Sequence, residues 1–98
     1  MRGVVRSARG CLPLRGARLE IWLAGPAGVY GDDWRATVIA DEAGRYRFES
    51  HTPPAYAGRP PHIHLRATAA RHRPLVTQYY PVPGSVGGVF DLVLQPAP

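Results

Sequence analysis

Eleven glycines and eleven prolines are scattered through 98 residues, so a turn-forming or helix-breaking residue recurs every four or five positions. Proline removes a backbone donor that a helix interior needs, and glycine weakens any helix it interrupts, so no long helix fits between them. The intervals that remain are short. They cover 3–6, 17–24, 35–40, 44–49, 62–69, 74–80 and 88–94, each rich in β-branched or aromatic residues and bounded by Gly, Pro or Asp. Within 17–23, Ala17, Leu19, Ile21 and Leu23 fall on one side of an extended chain, and Arg18, Glu20 and Trp22 on the other. Such alternation is that of a half-buried strand. The string from Asp41 to Phe48 reads as a tight turn leading into a strand, with Gly44 able to take positive φ. The expected fold is an all-β, antiparallel β-sandwich of about seven strands in one domain over 1–98, with 95–98 expected to fray.

Other features narrow the setting. No run approaches the roughly 18 apolar residues of a membrane span, and the opening ten residues lack the apolar stretch of a secretory signal. One cysteine, Cys11, allows no internal disulfide, so a reducing, cytoplasmic environment is expected. All twelve basic residues are arginine and the net charge is +5, which favours small anionic partners. The arginines are spread from Arg2 to Arg73 without a dense run or a recognition-helix pattern, so neither nucleic acid nor membrane is the expected partner.

The most informative segment runs from Tyr56 through Arg59 to His62 and His64. In a strand, residues i and i+2 share a face, so His62 and His64 present two imidazoles side by side while Ile63 enters the other side. By itself a His-x-His pair is a weak signal, more often an incidental surface pair than a metal grip. Asp32 and Asp33 keep open a two-histidine, one-carboxylate site, and a zinc or copper site on the same pair is a further alternative. His51 and His72 have no partner at ligand spacing and read as surface histidines. Tyr46, Trp22 and Trp34 read as packing residues, with Trp34 also placed to wall a pocket, as is one ring of the Tyr79-Tyr80 strand end.

Taken in order, Gly3-Val-Val, Pro13-Leu-Arg-Gly-Ala, Glu20-Ile-Trp22, Gly28-Val-Tyr30, Asp41-Glu-Ala-Gly44, Pro53-Pro-Ala-Tyr56, Arg59-Pro-Pro-His62-Ile-His64 and Thr77-Gln78-Tyr79 form a pattern over residues 3–80. That pattern resembles the intradiol ring-cleavage dioxygenases, non-haem iron(III) enzymes that open catechols between their two hydroxyl-bearing carbons. The resemblance implies Tyr30 and Tyr56 as tyrosinate ligands and His62 and His64 as nitrogen ligands. With one hydroxide, this set leaves Fe(III) formally neutral, which suits a partly dry pocket. Tyr56 would be the ligand displaced by substrate and would take a proton from it. Arg59 would stabilise negative charge on the substrate, and Gln78 would position it. The implied reaction inserts both atoms of O2 into a catechol to give a muconate-type dicarboxylic acid. Against the family pattern, this chain is expected to be a compact member without a helical N-terminal segment, with shortened runs between Tyr30 and Tyr56 and between Tyr56 and His62. Homo-oligomerisation is expected to rebuild pocket walls and cover strand edges. The competing expectation is a non-enzymatic module, similar to transthyretin-like or carbohydrate-binding β-sandwiches, which would bind no iron.

Overall fold

The computed structural model describes residues 1–23, 35–49, 62–81 and 88–98. Seven strands lie within them: β1 (Arg2–Ser7), β2 (Arg18–Leu23), β3 (Arg35–Ile39), β4 (Arg45–Arg47), β5 (Ile63–Thr68), β6 (Leu75–Tyr79) and β7 (Leu92–Leu94). No helix occurs among the described residues. Each strand sits inside or within a residue of an interval that the glycines and prolines leave open. They form two sheets, one ordered β4-β1-β7 and the other β3-β2-β5-β6.

The core lies between these sheets. From the larger sheet come Leu19, Ile21, Leu23, Ile63, Leu65 and Ala67; from the smaller come Val5, Tyr46, Leu92 and Leu94, all at or below 5% exposure. The alternation read from 17–23 is realised, since Ala17, Leu19, Ile21 and Leu23 are all buried while Glu20 and Trp22 stay half-exposed. Apolar area removed from water in this layer is the main stabilising term of the fold.

One pairing departs from the expected antiparallel arrangement. The pairings β1 with β4, β2 with β3, β2 with β5 and β5 with β6 are antiparallel, but β1 runs parallel to β7. Adjacent parallel strands need a long crossover, and here everything between Ser7 and Leu92 supplies it. The tail expected to fray is also held: the Arg73 amide donates to the Gln95 carbonyl and the Ala97 amide to the Arg71 carbonyl, each at 2.8 Å. His72 takes part in the same corner. Its Nε2 lies 2.8 Å from the Ser7 hydroxyl and its Nδ1 2.9 Å from the Ala70 carbonyl, so this histidine ties the β5–β6 turn to the end of β1.

Local chemistry fixes the turn before β4. Asp41 Oδ1 accepts the backbone N–H groups of Arg45 and Ala43, both at 2.9 Å, and Oδ2 accepts Arg45 Nε at 3.2 Å. These interactions, the Arg45 amide foremost, hold the Asp41 carboxyl below its ordinary value of 3.8. Gly44 follows at φ +72°, where a Cβ would also press within 2.6 Å of the Val5 carbonyl oxygen. Tyr46, as expected, is structural: it is buried, its hydroxyl donates to the Phe90 carbonyl, and burial pushes its phenol well above the ordinary tyrosine range.

Leu65 is fully buried and sits on β5 between His64 and Arg66. Leu65→Ala is expected to destabilise the chain by about 2–5 kcal/mol, read as a lower midpoint in urea unfolding. A depressed carboxyl supports the fold while ionised and loses that support as pH falls through its lowered pKa. Accordingly, NMR titration of Asp41 is expected to give a midpoint below 3.8 that rises toward it in Arg45→Gly.

Candidate metal centre

Strand β5 separates the core from the site by its two-residue period. Ile63, Leu65 and Ala67 point into the sandwich, while His64, Arg66 and Thr68 occupy the outer face of the four-stranded sheet and are half-buried. His62, immediately before the strand, has the same parity as His64 yet is 0% exposed. A wholly buried imidazole away from the main core marks a built environment, and no buried side-chain nitrogen or oxygen among the described residues lacks a hydrogen-bond partner.

The two imidazoles meet edge to face, with ring centroids 4.7 Å apart and planes at 76°. That is an ordinary spacing for an edge-to-face ring contact, and it keeps the two imidazoles close enough for both to serve as ligands of one ion. Neutral imidazole nitrogens suit iron as well as zinc or copper, so the pair alone does not choose among them. Among the described residues no third histidine, cysteine or carboxylate joins the two.

Neighbouring strands hold the pair from both sides. On β2, Trp22 is the register partner of His64, and its ring lies parallel to the imidazole at 5.3 Å and 4°. On β6, Gln78 is the other register partner. Tyr80, one step beyond β6, places its ring 6.1 Å from His62 and donates its hydroxyl to Gln78 Oε1 at 3.2 Å. The Tyr80 hydroxyl thus fixes which end of the Gln78 amide is its oxygen.

Of the site residues expected from sequence, His62, His64 and Gln78 are brought together here. Tyr30, Tyr56 and Arg59 lie outside the described residues, as do Asp32, Asp33, Trp34 and His51. One contributor is not assigned from sequence. Trp22 was read as packing alone, although its outward parity was visible; its opposition to His64 needs the register of β2 on β5, which no local pattern contains. The two terminal tyrosines of 74–80 also divide. Tyr80 joins the site, whereas Tyr79 packs on Phe90 at 5.2 Å.

The class these features define is a small β-sandwich with two adjacent histidines, His62 buried and His64 half-buried, at the start of a central strand of its larger sheet, and similarity to known proteins specifies it further. The chain is 34% identical over 107 residues to the catechol 1,2-dioxygenase of Candida albicans, an alignment covering 82% of this chain and 35% of that protein. Among solved structures, the dioxygenase domain of a dioxygenase–carbohydrate-binding protein fusion from Streptomyces sp. SirexAA-E superposes with a TM-score of 0.84 at 31% identity, covering 98% of this chain and 78% of that one. An intradiol ring-cleavage dioxygenase from Tetranychus urticae superposes at 0.72 with 26% identity, over 81% of this chain and 49% of that one. No family model matches the chain. The chain belongs to the intradiol ring-cleavage dioxygenase family, and it spans little more than a third of the length of the curated relatives it matches.

The stack of Trp22 on His64 has a spectroscopic consequence. A proton over an indole face is shielded, so Trp22→Leu is expected to move the His64 ring resonances downfield while those of His72, in a different corner, stay in place. Unchanged His64 signals would mean that the stack is not populated in solution.

Proposed function

We propose that this chain carries the metal centre of an intradiol dioxygenase, cleaving catechol or a substituted catechol with O2 to a muconate-type dicarboxylic acid. The observation that carries the reading is the juxtaposition of His62 and His64, two imidazoles with centroids 4.7 Å apart at the start of β5, with His62 sealed from solvent. The family relationship supports it independently.

His62 and His64 would hold iron(III) through neutral nitrogens, with Tyr30 and Tyr56 as the oxygen ligands. When bound, iron(III) acts as a Lewis acid that draws electron density from the catechol oxygens and makes the ring reactive toward O2. The remaining work belongs to the chain. Tyr56 would serve as the base that takes one catechol proton on its phenolate oxygen. Arg59 would supply a fixed positive charge to balance negative charge developing on the substrate. Gln78, oriented by the Tyr80 hydroxyl, donates from its amide nitrogen to substrate. Trp22 keeps the His64 ring from rotating and shields that side of the site from water. Association of further copies of the chain would add walls to this site.

The protein loaded with iron(III) is expected to show a strong visible charge-transfer band from tyrosinate, which shifts when catechol is added without air and returns as product forms in air. His62→Ala and His64→Ala should each abolish stoichiometric iron binding. Tyr56→Phe should keep the metal but slow ring opening on the order of a hundredfold or more. A colourless protein that binds no iron, or full activity in all three variants, would overturn the reading in favour of a non-enzymatic sandwich.

A further inference from the structure

Beside the histidine pair, the outer face of the larger sheet sinks into a concavity of about 560 Å³, within the size range of small-molecule sites. Among the described residues its lining includes Arg18, Glu20, Trp22, Arg35, Thr37 and Arg66. The cross-strand rows explain why they meet. Trp22 lies opposite Arg35 on one side and His64 on the other, and Glu20 lies opposite Thr37 and Arg66 in the next row. The concavity therefore begins at the same Trp22 that stacks on His64, and Arg66 follows His64 by one same-face step of β5.

Its charge is unbalanced. Glu20 Oε1 lies 3.6 Å from Arg18 Nε and 3.5 Å from Arg66 Nη1, so a single carboxylate is shared by two guanidiniums and tethers both at the rim. Arg35 has no ion pair or hydrogen bond among the described residues. Three fixed positive charges against one negative charge, with the Thr37 hydroxyl as a further donor, leave donors for an incoming anion. The planar fork of arginine matches a carboxylate in particular.

We infer that this groove binds a small organic carboxylate, with Arg35 as its principal anchor and Arg66 as its second. The binding itself does not depend on the proposed ring cleavage, but its use does. Catechol is neutral, whereas the ring-opened acid is a dianion at neutral pH because both carboxyl groups lie well above their pKa. A cationic groove one row from the metal pair therefore gives such a product a place to go, or holds a carboxylate substituent of the substrate.

The test is titration of the full ¹⁵N-labelled chain, isolated without added iron, with cis,cis-muconate and separately with benzoate. The expected result is saturable movement of the Trp22 indole, Thr37 and Arg66 signals, weakened roughly three- to tenfold by Arg35→Ala, partly restored by Arg35→Lys, and weakened further by added salt. Preference for muconate assigns the groove to the product, and preference for benzoate assigns it to a substrate substituent. No saturable movement up to about 20 mM of either ligand, or movement indifferent to Arg35→Ala, would overturn the inference. A protein that binds carboxylates in this way, yet takes up no iron(III) and cleaves no catechol when iron is supplied, would sink the dioxygenase reading alone.

Discussion

Everything in this molecule hangs on how β2 lies against β5. Six consecutive residue pairs, from Arg18 with Thr68 to Leu23 with Ile63, set the two strands antiparallel at the centre of the larger sheet. On one face this register stacks Leu19 by Ala67 and Ile21 by Leu65 into the core; on the other it stacks Trp22 by His64 and Glu20 by Arg66. A slip of one residue would reverse every side chain of a strand, exposing leucines and burying charge, so the apolar layer holds the histidines in register. The site is accordingly positioned by the energetics of the opposite face. That division lets a modest chain keep a polar, reactive surface without weakening its core, since each serves a different parity of the same strand.

Much of this was legible in the sequence, and the reason is local. Strand positions follow from where prolines and glycines interrupt β-branched runs, and faces follow from alternation, as in 17–23. The His62/His64 pairing needs no more than the two-residue period. The features that escaped are those set by non-local partners. His72 reads as a surface residue until β1 brings the Ser7 hydroxyl to its Nε2, 65 residues away in sequence. The QPAP tail, without a side-chain pattern of its own, is fastened by backbone bonds to residues 71 and 73. The parallel sense of β1 and β7 is likewise invisible, because strand direction depends on how the whole intervening chain is routed. For Tyr30, Tyr56 and Arg59, outside the described residues, periodicity offers no role at all, and the family resemblance alone proposes one.

The outer face of the larger sheet also shows how one surface can hold two chemistries. Toward the start of β5 the side chains are imidazole, indole and amide, which are neutral donors and acceptors suited to holding a metal and a substrate. One row further on they are guanidinium and carboxylate. The boundary is a single indole, Trp22, which touches both regions.

The parallel contact between β1 and β7 has a consequence for how the molecule comes into being. The strands that carry the histidines, Trp22 and Gln78 are complete once the chain has been made as far as Tyr79, and their contacts are closer in sequence. The smaller sheet, by contrast, cannot acquire its third strand until Leu92–Leu94 arrives to meet Val5, Arg6 and Ser7. Contacts between such distant segments are the slowest to form. The histidine-bearing sheet is therefore built from pairings closer in sequence than the β1–β7 contact that completes the layer over its inner face.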